Sequence, residues 1–393
     1  MSSIDNTANS ILTKFDTYLS PDGPAALVIR EQLAPVEGAD AVFFPATYAA
    51  KKKGEEGGYN VDGGDRSKDP SAQNIVLVDS VGSQANRIEP LFTEGEYAKL
   101  VPQIVIKAGE KFVNLLNVGH RAGDAIARCS TLQADFQNAF KDILIGNVTR
   151  LAKIAPTSLV FGVWDSRDTQ AKLPRLVSSV VRAYNVRKLT RSAQYTPAAD
   201  YAALEIFSDE EKQKAEGDSA NPLAARGFVH VPSTGSHGGV IAEGGIRRDA
   251  TLALSALKLL KADTVEGTLK VHRYIFGLSL VAFTRLPLGY YRQGTILVSA
   301  TNENGIPERE IVEVSFNGKR TDVSAKITAD DAFEYAKAAA TAFGVGDGKT
   351  VDFEPDKAKN DVKDGKNKGA KSSKKKKADA TGTSTEQENT SSD

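Results

Sequence analysis

Short apolar runs of strand length and longer stretches of helical spacing follow one another along this 393-residue chain without a strict β-α repeat. That mixture points to an α+β domain carrying insertions. The run N-I-V-L-V-D at 74–79 reads as a buried strand, and 80–89 as a helix stopped by Pro90. Residues 132–153 read as one helix, with Phe136, Phe140, Ile143, Leu144, Val148 and Leu151 at helical spacing; 158–164 read as a strand. Residues 174–185 open with Pro174 and read as a second amphipathic helix. Its apolar side holds Leu176, Val177, Val180, Val181 and Tyr184, and its polar side holds Arg175, Ser178, Ser179 and Arg182. Asp249 reads as the N-cap of a helix over 250–261, followed by a helix over 265–283 and strands over 291–300 and 310–316. A last helix, 332–343, is capped by Thr328 or Asp330 and ended by Gly344.

Three segments interrupt this pattern. Residues 51–73, rich in Lys, Gly, Glu and Asp, read as a loop with too little apolar surface to offset the entropy of ordering. Residues 199–239 read as an insertion projecting from the core. Residues 356–393 read as a disordered, Lys-rich tail in which ten lysines face seven acids, a net charge of +3. Residues 1–355 are then one domain with insertions. The single cysteine, Cys129, leaves no internal disulfide and fits a reducing compartment. The polar first ten residues lack a secretory pattern, and the apolar run 275–283 is too short to span a membrane. A cytoplasmic protein is expected.

Charge is balanced overall, 50 Lys and Arg against 50 Asp and Glu, but not locally. Residues 145–191 hold nine basic residues against only Asp165 and Asp168. Thr, Gln, Ser and Tyr interleave with them, and such side chains suit a sugar-phosphate backbone. Catalytic patterns are weak by comparison. The stretch G-V-G-D-G-K-T at 344–350 is one residue short of a phosphate-binding loop and follows a helix instead of opening one. The four histidines are scattered without metal-ligand spacing, and no G-x-S-x-G elbow occurs. No catalytic residue, metal or cofactor is expected.

Four basic-polar clusters remain as nucleic-acid candidates, although each taken alone also reads as a solvated face. The first is Ser83, Gln84 and Arg87 on one helix face, with Asn86 alongside. The second, Arg167, Thr169, Gln170, Lys172 and Arg175, crosses from a strand end into an expected helix start, where backbone amides favour anions. The third holds Arg187, Lys188 and Arg191 with Gln194 and Tyr195, and the fourth is Arg247 and Arg248 before the expected cap Asp249. Two of them lie at expected helix starts, and together they suggest one phosphate track.

The same stretches carry a family resemblance. N-I-V-L-V-D-S-V-G-S-Q-A-N-R-I-E-P (74–90), P-T-S-L-V-F-G-V-W-D-S-R-D-T-Q-A-K-L-P-R (156–175), T-R-S-A-Q-Y-T-P (190–197) and G-G-V-I-A-E-G-G-I-R-R-D-A-T-L (238–252) resemble the backbone RAMP protein of type I-G CRISPR systems, formerly I-U, a branch of the Cas-seven family. The resemblance implies an RRM-like, ferredoxin-type palm with helical finger insertions and a projecting thumb, which we assign to 199–239. It implies a non-catalytic subunit whose copies stack head-to-tail along a CRISPR RNA (crRNA) and present it for pairing with target DNA. Sequence is then read by base pairing and not by side chains, as in another RNA-guided effector. Implied partners are the crRNA, target DNA through it, further copies of the chain, a large subunit, an RNA-processing subunit and a recruited helicase-nuclease. An RNA-backbone role passes to Ser83, Gln84, Arg87, Arg167, Thr169, Gln170, Lys172, Arg175, Arg247 and Arg248. The alternative is a metal-dependent endoribonuclease cutting target RNA, with Asp165 or Asp168 as its loop aspartate.

Overall fold

The computed structural model describes residues 10–50, 57–285 and 289–363. Its frame is a nine-stranded antiparallel sheet built around Ala26–Pro35. Side chains alternate along this strand: Leu27, Ile29, Glu31 and Leu33 are buried, while Arg30 and Gln32 are exposed. Ile246–Ala253 pairs along one edge, with Leu27 opposite Leu252 and Glu31 opposite Arg248. Arg309–Val314 and then Thr295–Ser299 pair along the other edge. Val177–Tyr184 follows Ile246–Ala253, and Asn74–Asp79 and Val61–Gly63 complete that side.

Four of these strands define the topology. In space they run Arg309–Val314, Ala26–Pro35, Ile246–Ala253, Val177–Tyr184. A helical block separates Ala26–Pro35 from Val177–Tyr184 in the chain, and the helix Val265–Thr284 precedes Arg309–Val314. This is the split β-α-β order of an RRM-like, ferredoxin-type palm. The fold is α+β, as expected from the sequence.

Helices cover one face of the sheet. Val265–Thr284 is buried over most of its length, and it packs on Ala329–Phe343, where a Cβ on Gly277 would lie 2.8 Å from Ala336 Cα. Tyr274 stacks on Phe343 with ring centroids 4.6 Å apart. Leu27, Ile29, Val177, Ala250 and Leu252 join this core from the sheet. Among the described residues no helix is long and apolar enough to cross a membrane.

Several elements match the sequence reading. Asn74–Asp79 is a strand, and Val81–Ile88 is a helix whose Ser80 Oγ accepts the Ser83 amide at 3.2 Å. Thr328 caps Ala329–Phe343 in a capping box with Asp331, and Gly344 ends that helix in the left-handed region.

Others require correction. The expected helix over 174–185 is the strand Val177–Tyr184, and the expected helix over 250–261 is the strand Ile246–Ala253 followed by the short helix Leu254–Leu257. Both are central in the sheet, where β-branched residues gain from packing on two strands at once. Asp249 caps nothing and instead holds Arg247. Residues 158–164 are mostly the end of the helix Thr157–Phe161, stopped by Gly162 at φ +79°; only Val163–Trp164 is strand. The helix expected over 132–153 is two helices, Gln133–Leu144 and Thr149–Ile154, parted near Gly146 at φ +88°. Residues 291–300 form a hairpin turning at Gly294.

The three interruptions also change. Val61–Gly63, within the expected loop 51–73, is an edge strand of the main sheet, whereas 51–56 lie outside the described residues. The projecting element starts earlier than expected, as a two-stranded ribbon of Val186–Tyr195 and Val231–Ala242. It interrupts the connection between the palm strands Val177–Tyr184 and Ile246–Ala253, and its tip carries the helices Asp209–Ala215 and Pro222–Ala225 around Ala215, Ala224 and Val229. The start of the expected tail is helical over 355–363 and tied down: Lys357 Nζ donates to the Ser130 carbonyl at 3.2 Å, and Arg128 pairs with Asp361 at 2.7 Å. Residues 364–393 lie outside the described residues.

Candidate nucleic-acid interface

The helix Val81–Ile88 leaves the palm at Asp79, a buried carboxylate that takes up most of the first cluster. Ser83 Oγ donates to it at 2.7 Å, Gln84 Nε2 at 2.6 Å and Arg87 Nε at 3.2 Å. Gln84 is fully buried and also accepts from Ser179 Oγ at 2.9 Å. Arg87 Nη2 donates to the Tyr291 carbonyl at 2.7 Å, and its guanidinium lies 5.2 Å from the Tyr291 ring. The expected solvent-facing row is therefore an internal hub tying helix to sheet. Asn86 alone of this cluster is exposed.

The second cluster lies on a small hairpin. Val163–Trp164 pairs with Lys172–Leu173, so Val163 and Leu173 point inward while Trp164 and Lys172 share the outer side. Asp165, 4 % exposed, organises the loop between the strands. Its carboxylate accepts the Thr169 amide at 2.8 Å, the Thr169 hydroxyl at 2.7 Å and the Asp168 amide at 3.3 Å. Gln170 adopts φ +63° and donates through Nε2 to the Ser166 carbonyl at 2.8 Å. Asp168 accepts from Gln137 Nε2. Thr169 and Asp165 thus hold the loop, and both candidate loop aspartates already carry protein partners. Among the described residues, no group of three or more His, Cys, Asp or Glu side chains is placed to hold a metal ion.

What this frame presents is cationic. Arg167, Lys172 and Arg175 are exposed, and among the described residues none of the three side chains has an ion pair. Arg175 follows the hairpin against Gly162, where a Cβ would lie 2.8 Å from Arg175 Cγ; its Nη2 would lie 4.0 Å from a Cβ on Gly82. Gly162 makes room for the arginine, whose guanidinium reaches the start of Val81–Ile88. Arg167 lines a polar groove of about 310 Å³ with Arg128, Gln137, Asp168 and Lys357. An anion meeting this surface finds free guanidinium and ammonium groups, with no internal carboxylate bonds to break first.

The other clusters lie elsewhere. Arg191 is exposed on the ribbon with no ion pair among the described residues, and Arg187 pairs with Glu243 at 3.4 Å. Arg247 lies on the sheet face away from the helices, held by Asp249 at 2.9 Å and by the Tyr184 hydroxyl at 2.9 Å. Arg248 points the opposite way, is 1 % exposed and pairs with Glu31 at 2.7 Å. A place for Arg248 in a surface track is corrected by that burial, as it is for Gln84. Neither Arg247 nor Arg248 stands at a helix start, since both lie within Ile246–Ala253.

Two members of the open sheet face were outside the four candidate clusters: Arg30, which the sequence reading passed over, and Arg182, which it placed on the polar side of an expected helix. Arg182 sits opposite Arg247 in register, and exposed Arg30 sits opposite Asp249. For Arg182 strand alternation in V-S-S-V-V-R-A-Y was the available signal, and the helical reading hid it. The sequence reading also missed Trp164, 55 % exposed beside its cross-strand neighbour Lys172.

Residues 27–188 match a family model described as CRISPR-associated protein GSU0053. No curated protein matches the chain. The matched span runs from the first palm strand through Val81–Ile88 and the Trp164 hairpin to the base of the ribbon. Over these residues, fewer than half of the chain, the sequence is similar to that CRISPR-associated family.

Proposed function

We propose that this chain is the non-catalytic backbone subunit of a type I CRISPR interference complex, binding crRNA through its phosphates. The observation that carries this reading is the hairpin of residues 163–173 and the arginine that follows it: Arg167, Lys172 and Arg175 are exposed, have no ion pair among the described residues, and flank a loop fixed by buried Asp165. Contacts of this kind are indifferent to sequence, as a subunit must be when base pairing does the reading. The ribbon between two palm strands acts as the thumb, reaching the RNA held by the next copy. Balanced overall charge suits close stacking of copies, because a strongly basic chain would repel itself. The complex works in the cytoplasm with a large subunit, an RNA-processing subunit and a helicase-nuclease, and target DNA joins through the crRNA.

The test is to co-express the chain with a CRISPR array, wash the purified protein in high salt and sequence the RNA that remains. Spacer-length crRNA in a large assembly supports the proposal. A nucleic-acid-free monomer, unchanged when the full operon is supplied, contradicts it. Periodic cleavage of complementary RNA in Mg²⁺, lost with Asp165→Ala or Asp168→Ala, replaces the non-catalytic reading with a nuclease.

A further inference from the structure

We infer that Trp164 is a stacking platform for one unpaired nucleobase of single-stranded RNA, a role that rests on the RNA-binding reading above. Tryptophan carries a large apolar surface, and leaving it in water is unfavourable unless something covers it. Trp164 is nevertheless 55 % exposed. Its backbone is closely packed: a Cβ on Gly123 would lie 3.0 Å from the Trp164 carbonyl oxygen, and Val163 beside it is buried. The Asp165 network holds the next turn of chain. The indole is therefore presented by a rigid support.

Its surroundings select the partner. Lys172 is its cross-strand neighbour, with Nζ 5.4 Å from the ring centroid, and Arg167 and Arg175 stand nearby in the chain with no ion pair among the described residues. An apolar protein partner gains nothing from such a cationic rim. A nucleotide uses both parts, its base stacking on the indole while its phosphates meet Lys172 and the arginines. Every base has a π-face, so the contact does not depend on sequence and suits an RNA whose other bases pair with target.

Trp164 is the only tryptophan in the chain, so intrinsic emission reports on this site alone. The full-length protein is titrated with 5′-labelled oligouridylate, following label anisotropy and tryptophan emission together. Emission should be quenched in step with the anisotropy rise. Trp164→Ala should weaken binding about ten-fold or more, and Trp164→Phe should retain part of the affinity. RNA binding with unchanged emission overturns the stacking role and leaves the RNA-binding reading intact. Emission that shifts only as protein concentration rises, without RNA, assigns Trp164 to a contact between copies and also overturns it. Absence of RNA binding by anisotropy removes both.

Discussion

Arg248 and Glu31 meet beneath the centre of the palm, Nε to Oε2 at 2.7 Å, with side chains 1 % and 0 % exposed. Ser299 Oγ donates to the other Glu31 oxygen at 2.8 Å. Its sequence neighbour Arg247 points to the opposite face, so two adjacent arginines of one motif have opposite fates.

Removing Arg248 strands a buried carboxylate. Arg248→Ala should lower the unfolding free energy by about 3–5 kcal/mol, and Arg247→Ala, on the half-open face, by no more than about 1 kcal/mol. Urea denaturation of the two variants checks this. Equal losses would place Arg248 among ordinary surface cations.

The ribbon sets a second expectation. Deleting 199–239 would remove residues 231–239, which pair with 186–195, so the cleaner excision is 196–230, closed by a short Gly-Ser turn. That variant should keep the melting temperature of the palm and its affinity for short RNA, while losing long RNA-bound filaments. Sedimentation and electron microscopy on long RNA provide the readout. Normal filaments would put the inter-subunit element elsewhere.

Glu89 gives a pH signature. It lies beside Arg121 with Oε2 2.7 Å from Nε, both side chains buried, and burial pushes the Glu89 carboxyl up to about 7 against the opposing pull of Arg121. An unperturbed glutamate titrates near 4.5. Between those values the folded protein retains a proton that the unfolded chain has released, so stability falls as pH rises through the window. The melting temperature of the native chain should therefore drop relative to that of Glu89→Gln between pH 5 and 7. Parallel profiles would mean that Glu89 is ionised throughout.

How much of this was legible in the sequence depended on how local the cause was. Ser80, Thr328 and Gly344 act within one turn of their own helices, and the sequence reading opened a helix at Ser80, ended one at Gly344 and had Thr328 as one of two candidate caps. Val177–Tyr184 and Ile246–Ala253 failed because their partners are remote in the chain; V-S-S-V-V-R suits either period until a neighbouring strand decides. The same limit affected the site. Arg167, Lys172 and Arg175 were legible as a cationic cluster, since they follow one another along a hairpin. The fates of Ser83, Gln84 and Arg87 depended on Asp79, just upstream, turning inward beneath them, and that of Arg248 on Glu31, 217 residues away. Charge is visible in a sequence, but whether it is already neutralised is a tertiary fact.

The central claim is that the hairpin cations grip phosphates. The most direct measurement is the salt dependence of RNA affinity for the native chain and for an Arg167→Ala, Lys172→Ala, Arg175→Ala triple variant. For single strands each phosphate contact contributes about 0.7 to the slope of log affinity against log salt, so the variant's slope should be shallower by about 2. Its affinity should fall alike on every RNA sequence tested. An unchanged slope and affinity would remove the hairpin from the RNA interface and contradict the account.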